Sequence, residues 1–293
     1  MDRAIPTDAR SVASTSAVLP AVGIAIAIAG TTAMDARGLS AFSALVLLPL
    51  MFLFWYFDRL SPSEMGFRWG RRGDFVLALL YPVVVIGAIA ITAKIAGAVD
   101  LSKTNWQKVL LNFLIITVST AVVAIITEEG FFRGWLWGSL RRRRITAFDV
   151  LIYTSVAFSA WHISSVTLNT EFRPALSQLP VFLINAAMLG IVWGIMRWMS
   201  GSIIIASCSH GLWNGIAYVF FGFGTKTGAL GIRNTTMFGP EIGIVGLVSN
   251  ALFAVLLWQW LRRRCYRTQT DWTMKKSSLL TMRGRHIKVR HER

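Results

Sequence analysis

The chain has 293 residues, 54% of them hydrophobic and only 15% charged, with a mean hydropathy of +0.55. This composition excludes an ordinary soluble domain and places the chain among multi-span membrane proteins. The formal charge of +16 does not mark a nucleic-acid-binding protein, because the cations gather between and after apolar runs instead of forming one basic domain.

A helix needs about 20 apolar residues to cross a hydrocarbon layer about 30 Å thick. Eight stretches meet that requirement, at 17–34, 41–57, 75–98, 108–138, 147–166, 179–198, 201–221 and 241–261. The expected fold is an all-α polytopic membrane helical bundle of about eight transmembrane helices. Residues 1–261 are expected to form a single transmembrane domain with its core at about 105–220. The first stretch carries Pro20 and is rich in Ala and Gly, but its apolar core runs on without a small-x-small cleavage site, so it reads as a retained span and not a signal peptide. No internal repeat and no separate soluble domain is visible.

Orientation follows from the cations, since Lys and Arg are held on the cytoplasmic side. Arg68, Arg71 and Arg72 follow the second stretch, Arg141 to Arg144 the fourth, Arg197 ends the sixth, and a basic tail from Arg262 follows the eighth. Every strongly basic segment comes after an even-numbered span. Both termini are therefore expected in the cytoplasm and the Gly-rich loop FGFGTKTGALGIRN outside. The tail, 262–293, reads as disordered and positive-inside, with Trp272 and scattered cations suited to an anionic lipid surface. Cys208 and Cys265 are too few for a disulfide framework or a Cys-rich zinc site.

Ionisable side chains at membrane depth cost at least a few kcal/mol each and face a protein interior or a water-filled cavity. The deep set is Lys94, Glu128, Glu129, Arg133, His162 and His210. Lys94, near the outer end of its span, can snorkel. Counted from the basic ends of their spans at 1.5 Å per residue, Glu128, His162 and His210 all lie roughly 15 to 23 Å deep, in one layer. Glu129 and Arg133 stand at i and i+4, so one ion pair can form along a helix face. His210 and Asn214 share that spacing, and Phe158 precedes His162 by four. A watery pocket sunk below the cytosolic surface, lined by Glu128, His162, His210 and Asn214, is the expectation. The bland reading of each feature alone is a satisfied buried ion pair or hydrogen bond, and Asn185 is left in that class.

A desolvated carboxylate can act as a general base toward water, while nearby imidazole and amide N–H groups can stabilise an oxyanion. That set of groups suits hydrolysis of an amide bond inside a membrane cavity. Glu129 has the better claim on Arg133, which leaves Glu128 to activate water. There is no H-E-x-x-H and no G-x-S-x-G, and Ser209 is adjacent to His210 on a helix, where neighbouring side chains diverge. A zinc site built from Glu128, His162 and His210 stays open, although no metal is assigned. Nothing points to a nucleotide, haem or flavin, and no cofactor is expected. A scaffold or immunity protein acting by binding alone, and a transporter using the same charges as a relay, are the alternatives from other classes.

Glu128-Glu129-Gly-Phe-Phe-Arg133 resembles the EExxxR motif, Phe158-Ser-Ala-Trp-His162 the FxxxH motif and His210-Gly-Leu-Trp-Asn214 the HxxxN motif of the CPBP family, the CAAX prenyl protease and bacteriocin-processing or Abi proteins. All three occur in family order within about 105–220. The resemblance implies an all-helical intramembrane glutamic endopeptidase, in which Glu128 with His162 activates the attacking water, His210 and Asn214 line the oxyanion site, and Glu129, Arg133 and Phe158 support the geometry. It further implies a hydrophobic or lipidated peptide or membrane-protein substrate. A bacterial inner membrane is the expected location.

Overall fold

The computed structural model describes residues 17–169, 172, 174–224 and 226–263; the expectations for residues 1–16 and for the tail beyond 263 lie outside them. Among the described residues, eight helices are long and apolar enough to cross a membrane: Val18–Asp35, Ser40–Asp58, Arg72–Ile95, Trp106–Arg142, Ala147–Thr167, Leu176–Ser200, Ile203–Phe221 and Ile244–Arg263. They are called the first to eighth spans below. The described residues from Ala17 to Ala254 form one compact unit. The protein is a polytopic helical bundle.

The spans end where the sequence supplies caps. The side chains of Asn105, Thr146 and Ser202 accept hydrogen bonds from the first-turn N–H groups of Lys108, Asp149 and Ile204, which replaces partners the helix itself cannot provide. Between the second and third spans, Ser61 and Glu64 form a reciprocal capping box around the short helix Pro62–Met65. Outside the spans, the Gly-rich loop folds into a two-stranded hairpin in which Gly222–Phe223 pairs with Lys226–Thr227.

Burial is inverted relative to a soluble protein. The early turns of the fourth span expose Leu110, Leu111, Leu114, Ile115, Val118 and Val122, whereas Glu129, Arg133, Asn185, Ser207 and Asn250 are sealed inside. Exposed aliphatic rows of this extent need lipid around them, and polar side chains need the protein interior. The chain is an integral, multi-pass membrane protein.

One seam sets the position of the site. A Cβ at Gly211 would stand 2.5 Å from the carbonyl oxygen of Thr117, and one at Gly215 would stand 1.9 Å from its hydroxyl. The two glycines are therefore what lets the seventh span press against the fourth, in the small-xxx-small manner of membrane helices. A second seam closes the arginine-rich end. Asp58 accepts from Trp135 Nε1 at 2.8 Å and Ser139 Oγ at 2.6 Å and pairs with Arg143 Nη2 at 3.0 Å. Arg197 donates to the carbonyl oxygens of Arg133 and Glu64 at 3.0 and 2.8 Å.

Candidate active site

The fourth span is not one uninterrupted α-helix. It breaks at Thr127, whose φ of −118° and ψ of −103° are non-helical, and resumes as a wider π-helical stretch over Glu129–Leu136. Thr127 caps the first half by turning both its N–H and its hydroxyl to the carbonyl of Val123. Such π insertions recur at functional sites because they re-aim side chains without ending the helix. Neighbouring side chains on a helix diverge, so Glu128 faces a cavity while Glu129 points into the core with no exposed surface.

Glu129 is the anchor of the buried charge. Its Oε1 lies 3.3 Å from Arg133 Nη1 and 3.1 Å from His210 Nδ1. The Arg133 guanidinium, fully buried, sits 4.2 Å from the centroid of the Phe158 ring and 5.6 Å from that of Trp193. A cation removed from water is held here by one carboxylate and two aromatic faces. His210 is gripped on both sides, stacked on Trp193 with centroids 4.0 Å apart and planes 16° apart. With Nδ1 turned to Glu129, its Nε2 faces Glu128 Oε2 at 3.9 Å.

His162 stands at the join between the helical stretches Ala147–Trp161 and Ile163–Thr167. Its Nδ1 lies 2.8 Å from the carbonyl oxygen of Phe158, so Nδ1–H donates there and Nε2 carries the free lone pair. Phe158 and Trp161 meet the imidazole edge-on at 4.5 and 4.7 Å, which fixes the ring. Asn214 is one turn beyond His210 on the seventh span. Glu128, His162, His210 and Asn214 all border one cavity of about 200 Å³. The structure thus brings the four expected groups together from three spans, with Glu129, Arg133 and Phe158 packed behind them. Among the described residues no group of three His, Cys, Asp or Glu side chains is placed to hold a metal ion.

Two cavity residues escape a reading of the spans. Glu241, in the turn before the eighth span, enters the same cavity and accepts from Trp213 Nε1 at 3.0 Å. Burial pushes its carboxyl up to about 7, the Trp213 hydrogen bond and His210 act against that shift, and Glu128 adds to it. The turn is pinned by Asn185, which donates to the carbonyl oxygens of Pro240 and Glu241 at 2.7 and 3.0 Å. Asn185 in turn accepts from Asn250, which accepts from Tyr81; it is a structural bridge. Tyr218 also borders the cavity. The signal available for Glu241 was an acid beside Pro240 at the edge of an apolar run, a place where polar residues are common.

The cavity differs from expectation in the end of the bundle from which its border is drawn. Thr31, Ser40, Asn169, Phe223 and Glu241 contribute to it. These residues belong to the ends of the spans away from Arg59, Arg68, Arg141 to Arg144 and Arg197.

Residues 110–216 match the family model described as type II CAAX prenyl endopeptidase Rce1-like. The match includes Glu128, Glu129, Arg133, His162, His210 and Asn214 and stops short of Glu241. No curated protein matches the chain. Over residues 110–216, with the paired glutamates, the two histidines and the asparagine inside them, the chain is similar to the Rce1-like type II CAAX prenyl endopeptidases.

Proposed function

We propose that the protein is an intramembrane endopeptidase that hydrolyses a peptide bond of a membrane-associated or lipidated peptide, with Glu128 as the general base. The observation that carries this reading is the convergence of Glu128, His162, His210 and Asn214 on one cavity. Glu129 is committed to Arg133 and His210, which leaves Glu128 as the matched carboxylate open to the cavity.

In the reaction, Glu128 takes a proton from water as the water oxygen attacks the scissile carbonyl carbon, and the carbonyl π electrons move onto oxygen. The free Nε2 of His162 orients that water. Asn214 offers an amide N–H to the oxyanion at every pH, whereas His210, whose Nδ1–H is given to Glu129, offers a second N–H at Nε2 only when doubly protonated. Collapse of the intermediate breaks the C–N bond, and Glu128 returns its proton to the leaving amine. Buried Arg133 and the Trp193 stack hold His210 in place through Glu129 and through its ring face.

The test is cleavage of a membrane-anchored peptide by the purified protein in detergent. Glu128→Gln is expected to lower kcat by about 10²–10⁴-fold, the range for loss of a general base, with an unchanged melting temperature. Retained cleavage removes Glu128 as the base. Chelator sensitivity would favour the zinc version with Glu128, His162 and His210 as ligands. Full rescue of a deletion phenotype by Glu128→Gln would point to a non-catalytic scaffold.

A further inference from the structure

The border of the cavity is drawn from one end of the bundle and not from the other, where the arginines are concentrated. On the arginine side, Phe131, Phe132, Trp135, Leu136 and Met65 fill the interior with essentially no exposed surface. Asp58 and Arg197 stitch that plug to the second span and to the Pro62–Met65 helix. No border residue of the cavity comes from beyond this layer. At the opposite end the border reaches the connection between the first and second spans, the segment after the fifth and the hairpin after the seventh.

A second, larger cavity of about 980 Å³ adjoins there and shares Tyr218 and Phe223 with the first. Its rim carries Lys103 and Lys108 from the connection into the fourth span, and Lys226 and Arg233 from the loop after the seventh. Two hydrogen bonds zip these connections together, from Asp100 N to Leu230 O at 2.9 Å and from Thr104 Oγ1 to Ala229 O at 2.6 Å. The one acid of this rim, Asp100, has its carboxylate drawn to the N–H of Ser102 at 3.0 Å. Asp100 also lies within electrostatic reach of Lys103 and Arg233, so the rim of four cations and one carboxylate keeps a net positive charge.

Arginine-rich connections mark the cytoplasmic side. Resting on the peptidase reading, we propose that the cavity is entered from the non-cytoplasmic face, and that its substrate is a membrane-anchored peptide presented there with acidic side chains that meet Lys103, Lys108, Lys226 and Arg233. The four cations draw such a segment toward Tyr218, and the narrower cavity beyond receives the scissile bond. Opposite charge across the mouth raises the encounter rate and disfavours basic competitors.

Entry side is tested without reference to activity. In the full chain with Cys208→Ala and Cys265→Ala, single cysteines are introduced at exposed Ala36, Lys226 and Ser63 and treated with a membrane-impermeant maleimide on intact bacterial cells. Ala36→Cys and Lys226→Cys are expected to label at once, and Ser63→Cys only after the membrane is opened. The reverse pattern overturns the proposed entry side, whatever cleavage assays show; absence of cleavage with the expected labelling overturns only the peptidase reading. Occupancy is tested with fluorescent peptides, each one apolar segment with an Asp-rich or a Lys-rich flank, bound to Glu128→Gln protein in nanodiscs. The Asp-rich peptide is expected to bind about tenfold more tightly, and Lys226→Glu with Arg233→Glu to erase the difference. Equal binding of the two peptides, or loss of bound anionic lipid as the only effect of the reversal, overturns the acidic-peptide assignment.

Discussion

Glu241, in the turn before the eighth span, couples pH to the fold. Its carboxyl sits at about 7 against an ordinary value of 4.5, chiefly because of burial. A raised value in the folded state means that the neutral form is preferred there. The associated stability is complete below about pH 4.5 and is lost as pH rises through 7. Between pH 5 and 8 the melting temperature of the wild type is expected to fall by about 5 °C, while that of Glu241→Gln stays level; parallel melting curves for the two proteins would remove Glu241 as the source. At this scale the sequence was legible where chemistry was rare. An acid, an imidazole or an amide inside an apolar run announces itself, which is why Glu128, His162, His210 and Asn214 could be picked out. Glu241 lies where the run fades, and Trp193 is one of 12 tryptophans, with no pattern to separate the one stacked on His210 from the rest.

Between the fourth and seventh spans, contact depends on the absence of side chains at Gly211 and Gly215. A leucine at 215 would drive atoms into Thr117, whose hydroxyl is already 1.9 Å from the position of a Cβ. Overpacking of this kind costs about 1–3 kcal/mol, and here it moves the helix that carries His210 and Asn214. Gly215→Leu is expected to lower both the melting temperature and kcat, whereas Leu110→Ala, on the exposed face, leaves kcat unchanged. Equal kcat for both variants would mean the seam does not position the site. The spans themselves were readable because length and apolarity are what a bilayer demands, and their limits agree to within a few residues. The break at Thr127 was not. Residues 113–126 form an uncharged, largely apolar run with no Pro or Gly to announce a break, and the widening over Glu129–Leu136 coincides with tertiary demands, the placing of Glu129 against both Arg133 and His210.

At the scale of the molecule, one carboxylate ties together the arginine-rich end. Asp58 gathers Trp135, Ser139 and Arg143 at the arginine-rich end, and Asp58→Asn is expected to cost about 1–3 kcal/mol by weakening charged hydrogen bonds in a mostly buried cluster. The effect belongs in the melting temperature, measured in detergent, with KM unchanged because no group of the cavity is touched; a raised KM with an unaltered melting temperature would contradict the separation of this cluster from the cavity. Hydropathy could count the spans and the cations could order their ends. Neither reports which spans touch, so the contacts that bring Glu128, His162, His210 and Asn214 to one cavity were not legible from them. The setting of Glu128 carries one further consequence. It lies in a chamber shared with His162, His210, Asn214 and Glu241, and an extended backbone is slimmer than a coil about 10 Å wide. On the peptidase reading, peptides that unwind readily beside the scissile bond are therefore expected to be consumed before those that stay coiled.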